Sequence, residues 1–366
     1  MSETRRAMSS DYMEWAKTRS GARFTLATSG VDNYHLADLN VAIEDLELSG
    51  PGGYGYEPLQ RRIAAKCDVE PECVVAATGT SMANHLAMAA ILNPGDEALI
   101  EHPAYELLVS VARYLGANVK RFARKFEDGF GIDAKEVESV ISSRTRLIVM
   151  TNLHNPSSAF ADNDTISEIG EIARSVGARV LVDEVYLEAM FDRAPRSAFH
   201  LGEEFVATSS LTKVYGLSGL RCGWALARPE LARRMWRLND LFGVIPVHAA
   251  ELLSVIAMDN LDRIAASARS RLEANRALLN QFLDSRTDLK AVRAEFGTTS
   301  FPKLLRGSVD RLCELLREKY ETTVVPGRFF EMDDHFRIGI GGSSETVAAG
   351  LERLSAALDE MASYEG

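Results

Sequence analysis

The chain has 366 residues, of which 46% are hydrophobic and 25% charged, and its formal net charge is −11. This length predicts two domains, and an acidic excess without a run of Lys or Arg argues against a nucleic-acid binder. Cys67, Cys73, Cys222 and Cys313 show no metal-ligand spacing, and the seven histidines form no H-x-H or HExxH pattern, so no metal is expected. The cysteines are expected as reduced thiols of a cytoplasmic protein. The N-terminal stretch MSETRRAMSSDYMEW lacks the apolar core of a signal peptide, and no apolar run is long enough to span a membrane.

From about residue 45 to 245, strands and helices alternate. Strands are predicted near 74–77, 98–101, 119–122, 147–151, 180–183, 206–209 and 223–227. Helices are predicted over 82–92, 105–115, 134–141 and 165–176, with Gly116 and Gly177 at the C′ position. This β-α-β rhythm predicts an α/β fold with a mostly parallel, doubly wound sheet. The last two strands follow one another without a helix, across a loop containing Lys213. A dinucleotide-binding Rossmann domain is rejected for want of GxGxxG after the first strand. Beyond Gly243 the pattern changes. One long helix is predicted over 262–283, its apolar stripe interrupted by Asn275. Short strands near 291–296, 301–305, 322–325 and 336–340 then alternate with helices over 309–319 and 345–361. The expected division is a large domain, 45–245, and a smaller α+β domain of 1–44 with 246–366. There are no internal repeats.

Several strands end in residues that carry chemistry, and open α/β sheets place their sites at the C-terminal strand ends. After the first strand, Gly79-Thr80-Ser81 opens an alanine-rich helix, whose free N–H groups and dipole suit an anion such as a phosphate. After the second comes Glu101-His102-Pro103-Ala104-Tyr105, and after LIVMT comes Asn155-Pro156. VLVDEVY ends a buried strand in Asp183, with Tyr186 three residues on. SSLTKVYGLSGLRCGW, residues 209–224, contains Ser210-x-x-Lys213 and Arg221. A lysine framed by small and hydroxylated residues, with an arginine at fixed distance, suits covalent attachment of pyridoxal phosphate (PLP). A carboxylate such as Asp183 would keep the ring nitrogen protonated, and Tyr186 would bond the ring's phenolic oxygen. Singly, each motif has a plainer explanation: Thr80 as a helix cap, Asn155 as a turn, Asp183 as a cap. Their joint order favours the site.

The 209–224 stretch resembles the lysine-site signature of the class I/II aminotransferases of PLP fold type I, with Cys222 where an aliphatic residue is usual. Asn155-Pro156 resembles the family's Asn-Pro pair, although Ser157-Ser158 replaces the usual Thr-Gly. By this resemblance Tyr105 stacks on the cofactor ring, and Gly79, Thr80, Ser81, Ser210 and Arg221 hold its phosphate. Residues 26–31, LATSGV, resemble the N-terminal segment that covers the substrate, with Gly30 near its carboxylate. Residues 336–341, FRIGIG, resemble the strand whose arginine, here Arg337, binds the substrate α-carboxylate. Tyr54-Gly55-Tyr56 resembles the segment that lends a tyrosine to the neighbouring subunit's phosphate, with Tyr54 and Tyr56 both open.

The resemblance covers nearly the whole chain, whose shortness is similar to the histidinol-phosphate aminotransferase subgroup. It implies a cytoplasmic homodimer that moves an amino group between an L-amino acid and a 2-oxo acid. Lys213 would transfer the proton, and Asp183 and Tyr186 would assist. Three other reactions on this scaffold share the same residues: β-elimination, decarboxylation and cyclisation. A non-catalytic effector-binding domain is disfavoured, because no room for a helix-turn-helix precedes Leu26.

Overall fold

A computed structural model of the chain describes residues 9–365. It opens with helix α1 (Asp11–Thr18), capped by the Ser10 hydroxyl, which accepts from the Met13 amide. Strand β1 (Phe24–Thr25) and α2 (Glu57–Cys67) follow. The alternation then runs β2 (Val74–Thr78), α3 (Thr80–Ile91), β3 (Glu97–His102), α4 (Glu106–Tyr114), β4 (Asn118–Ala123), α5 (Ala134–Val140), β5 (Thr145–Thr151), α6 (Asn163–Ser175), β6 (Arg179–Asp183), β7 (Phe205–Ser210) and β8 (Cys222–Leu226). Helices α7 (Pro229–Asn239), α8 (His248–Met258) and α9 (Leu261–Asp284) come next. The C-terminal part contains β9 (Leu289–Lys290), β10 (Thr299–Ser300), β11 (Lys303–Leu304), α10 (Val309–Lys319), β12 (Thr322–Thr323), β13 (Val325–Pro326), β14 (Phe336–Gly339) and α11 (Ser344–Glu365). Helices α1, α2, α7 and α8 were not expected from the sequence. No described helix is long and apolar enough to cross a membrane.

The large sheet has the order β2-β8-β7-β6-β5-β3-β4. Its central strands are apolar on both faces because helices cover both. Ala98, Ile100, Leu147, Val149, Leu181 and Val206 point to one core with α3, α4 and α7. The alternating set Leu99, Ile148, Met150, Val180, Val182 and Phe205 points to the other, with α5 and α6. All neighbouring pairs are parallel except those of β8, which runs antiparallel to both β2 and β7. The β7–β8 link has no helix to carry it across the sheet, so the chain must turn back. This reversal places Ser210, the Lys213 loop and Arg221 at one rim, opposite the start of α3.

In the C-terminal part, β10-β14-β13 form an antiparallel sheet and β1 joins β12 in parallel. The polar break in the α9 stripe has a clear purpose. Asn275 is fully buried, and its amide donates to Ile340 O and Gly342 O at 2.8 Å each, tying α9 to the end of β14. The strand expected over 291–296 does not form. Arg276 donates to the carbonyls of Ala294 and Gly297 and holds that segment against α9 instead. The N-terminal segment lies directly on β14. Gly339 donates to Leu26 O at 2.7 Å, and a Cβ there would sit 1.6 Å from Thr28 O. From there Val31 donates to Lys213 O and Tyr34 to Gly216 O, at 2.8 and 2.9 Å. The segment thus bridges the C-terminal sheet and the lysine loop.

Beside the rim, Arg124 and Glu101 form an ion pair at 2.8 Å with both side chains fully buried. Glu101 also accepts from the amide and hydroxyl of Thr151 at 2.9 and 2.6 Å, so it pins β3, β4 and β5 together. Removing one member of a buried pair strands the other charge, at a cost of about 3–5 kcal/mol. Glu101→Ala is expected to lower the free energy of unfolding by that much and so to bring the denaturation midpoint down. An unchanged midpoint in urea or thermal unfolding would contradict this role.

Candidate active site

A cleft of about 450 Å³ opens at the C-terminal ends of β5, β6 and β7, roofed by the N-terminal segment. Gly30, Thr80, Ser81, Tyr105, Asn155, Asp183, Tyr186, Ser210, Lys213 and Arg221 all line it, as do Tyr12 and Thr212. Gly79 lies behind Arg221, whose guanidinium occupies the space a Gly79 Cβ would need, 2.3 Å away. Arg337 reaches the cleft through Asn155 and Tyr12. Tyr54 does not reach it. Its hydroxyl donates to Asp240 at 3.1 Å on the surface, while Tyr56 stands edge-on to His248, with centroids 4.9 Å apart.

One end of the cleft gathers a helix N-terminus, hydroxyls and an arginine. Helix α3 begins at Thr80 with Gly79, at φ 78°, as its N-cap, so Thr80 is inside the helix rather than capping it. The buried hydroxyls of Thr80 and Thr212 have no hydrogen-bond partner among the described residues. Gly223 allows β8 to approach this turn, since a Cβ there would lie 2.4 Å from the Gly79 carbonyl carbon. Arg221 adopts a left-handed backbone, φ 50°, and its guanidinium donates to the carbonyls of Ser218 and Thr78, at 3.4 and 3.3 Å. Ser210 Oγ accepts from the Thr212 amide at 3.2 Å.

The floor holds a buried carboxylate. Asp183 accepts from Asn84 Nδ2 at 2.8 Å and from the Val185 amide at 3.1 Å, and Thr208 fixes the Asn84 amide by donating to its Oδ1 at 2.6 Å. Burial pushes the Asp183 carboxyl up to about 6, against the pull of these donors and of Lys213. Asn84 escaped the sequence argument. Its signal was a polar residue one helical turn after Thr80 on an otherwise apolar face. Lys213 Nζ donates to Ser29 Oγ at 2.9 Å, and desolvation holds its pKa below the usual lysine value. Desolvation likewise raises Tyr186 and Tyr105.

The far end contains a second cation. Arg337 is fully buried, yet it has no carboxylate partner among the described residues. It donates to Asn155 Oδ1 at 3.0 Å, Tyr12 Oη at 3.0 Å and Ala27 O at 3.2 Å, and its Nε has no partner. Because arginine only donates, it must take the Asn155 oxygen, and the Asn155 NH₂ remains for a ligand. Burial of Tyr12 pushes its pKa up, but Arg337 and Lys213 outweigh that and hold the phenol below its usual value. Tyr12 was also missed, since it belongs to the unexpected helix α1. The Ser157-Ser158 departure is accommodated in the backbone. Ser158 takes φ 63° and its hydroxyl meets Thr299, while Gly297 opposite leaves the space, since a Cβ there would lie 2.4 Å from Ser158 Oγ.

Residues 46–354 match the family model described as aminotransferase class I and II. The chain is 28% identical over 358 residues to capreomycidine synthase of Streptomyces vinaceus, covering 93% of this chain and 92% of the relative. It is 25% identical to arginine–pyruvate transaminase of Pseudomonas aeruginosa, covering 96% and 94%. Among solved structures, a PLP-dependent aminotransferase from Streptococcus suis superposes with a TM-score of 0.90 at 26% identity, covering 95% of this chain and 97% of that one.

The Asp183 environment has a pH signature. An unfolded aspartate titrates near ~3.9. A folded pKa raised above that value contributes stability that is complete below pH ~4 and lost as the pH rises through about 6. Glu184, raised to about 7 by burial, acts in the same direction and is untouched by a change at 183. Thermal melts of ligand-free protein across this window should fall less steeply for Asp183→Asn than for wild type. Parallel curves would contradict the buried-carboxylate assignment.

Proposed function

This chain belongs to the aminotransferase class I and II family, and from that premise we propose how its own residues move an amino group between an L-amino acid and a 2-oxo acid with pyridoxal phosphate. The observation that carries the proposal is Arg337. A buried guanidinium normally has an anion beside it, as Arg124 has Glu101. Arg337 has neutral oxygens and an unused Nε instead. A substrate α-carboxylate would supply the missing charge in the bidentate geometry that arginine favours.

The cleft residues fit the cofactor. The unpartnered Thr80 and Thr212 hydroxyls, the α3 N-terminus, Ser81, Ser210 and Arg221 would hold a phosphate at one end. Asp183 would face the ring nitrogen, Tyr105 the ring face, and Asn155 Nδ2 and Tyr186 Oη the ring oxygen. Pyridoxal phosphate supplies an electron sink for the charge that develops at the substrate Cα. Lys213, released as an amine, holds and moves the proton at Nζ as general base and then acid. Its lowered pKa favours the neutral amine this step requires, and Ser29 keeps Nζ on the cleft side. Gly30, whose Cβ would lie 3.1 Å from Lys213 Cα, lets the N-terminal segment close over the substrate.

The working division into 45–245 and 1–44 with 246–366 puts this cleft between the two parts. The active unit is a homodimer in this proposal. Ile43, Leu48, Leu241, Val244 and Val247 are exposed apolar side chains in the segments that precede Tyr54 and follow its partner Asp240 in sequence, and a second copy would cover them. Tyr54 or Tyr56 would then reach the partner's phosphate site. Four free cysteines fit a reducing cytoplasm.

Three experiments test the proposal. Arg337→Ala should leave cofactor binding intact and weaken amino-acid binding by roughly 30-fold or more, the scale of a truncated buried charge pair at about 2–5 kcal/mol. Arg221→Ala should instead weaken cofactor retention by roughly tenfold to a hundredfold, from lost charge-assisted bonds worth about 1.5–3 kcal/mol. With an ¹⁵N-labelled donor, the label should appear in the amino acid formed from the added 2-oxo acid. Release of labelled ammonium with no such product would mark elimination, and carbon dioxide release would mark decarboxylation. A cyclic product that keeps the label would mark cyclisation.

A further inference from the structure

A second concavity, of about 460 Å³, lies at the opposite rim of the large sheet. Arg146, Arg179, Arg228 and Arg234 line it, together with Glu203 and Glu230. Topology gathers them. Arg146 stands near the start of β5 and Arg179 opens β6, while Arg228 follows the end of β8. Because β8 is reversed, its end meets the rim where the other strands of the sheet begin. Arg234 comes from α7, whose N-terminus adds partial positive charge.

Charge pairing at this rim is selective. Arg144 pairs with Glu97 and Arg174 with Glu204. None of the four arginines in the concavity has a carboxylate partner among the described residues, although two glutamates line the same space. Backbone carbonyls hold three of them in place. Arg146 donates to Ser143 O and Thr145 O at 2.9 Å each, Arg179 to Glu203 O, and Arg234 to Ala90 O at 2.6 Å. Arg228 lies over the Phe199 ring at 4.8 Å, and its buried Nε has no partner. A guanidinium has five donors, so most remain unused. Four arginines without an ion-pair partner among the described residues, against two glutamates, leave the concavity locally positive in a chain of net charge −11 and so suited to an anion.

We propose that this concavity binds an oligophosphate, either free or as the phosphate chain of a nucleotide. Guanidinium forks match phosphate oxygens in pairs, and several forks require more than one anionic group. The volume falls within the ~300–1,000 Å³ of small-molecule sites, and Ile91, Pro229 and Leu231 provide an apolar wall.

Titration calorimetry on the PLP-loaded protein at fixed ionic strength tests this, with pyrophosphate and ADP as probes and sulfate as comparator. Loaded cofactor fills the phosphate end of the catalytic cleft, so binding there does not contribute. At least one probe should bind at one site per chain, more tightly than sulfate. Arg179→Gln and Arg234→Gln should each weaken it about tenfold or more, and Arg233→Gln, outside the concavity, should not. Arg234 is exposed, so its variant should keep the fold, as circular dichroism can verify. Tighter binding of ADP would identify a nucleotide site, and tighter binding of pyrophosphate a free oligophosphate site. Binding no tighter than sulfate, or equal in wild type and both variants, would overturn the proposal. So would an equal loss in Arg233→Gln.

Discussion

The guanidinium of Arg337 joins three separate parts of the chain. Asn155 brings the end of β5, Tyr12 brings α1, and Ala27 brings the segment that crosses from β14 to the lysine loop. All three offer neutral oxygens. They orient the cation without neutralising it, so the folded protein carries a desolvated positive charge with no carboxylate beside it among the described residues. The same contacts fix Asn155 with its NH₂ on the cleft side and draw Tyr12 below its usual pKa. A structural arginine would be satisfied, as Arg124 is by Glu101.

The rest of the cleft follows from one topological reversal. Because β8 turns back beside β7, the lysine loop lies at the carboxyl ends of the parallel strands, next to the start of α3. Charges then alternate along the cleft. Arg221 and the α3 dipole make one end positive, Asp183 makes the floor acidic, and Arg337 makes the other end positive. Lys213 stands among them with burial favouring its neutral form. The reversal also delivers Arg228 to the opposite rim, so the cleft and the second concavity both depend on the direction of β8.

Much of this was legible in the sequence, because the decisive features are local. Apolar runs ending in Asp183 or Asn155, a glycine before Thr80 and a lysine between small residues are visible in short windows. The alternation that predicted the sheet appears in the structure with its reversed last strand. Features that depend on distant partners were hidden. Asn84 matters because Thr208 and Asp183 meet it from other strands. Tyr12 belongs to a short helix that gains its place by packing on Phe329, Phe330 and Tyr105. Helix α8, apolar through AELLSVIAM, has no stripe to betray its period. The failed strand at 291–296 had the right composition, but Arg276 takes the carbonyls of Ala294 within it and Gly297 just beyond it. Ser158 in a left-handed backbone makes sense only beside Gly297, which is far from it in sequence.

The central claim is that Lys213 is the residue that bonds the cofactor, and chemical trapping tests it most directly. Borohydride reduction of the PLP-loaded protein, followed by proteolysis and mass spectrometry, locates the modified side chain. The account predicts one pyridoxyl group per chain, on Lys213, with the yellow absorbance lost on reduction. A group on another lysine, or a cofactor that washes out unreduced, would contradict it.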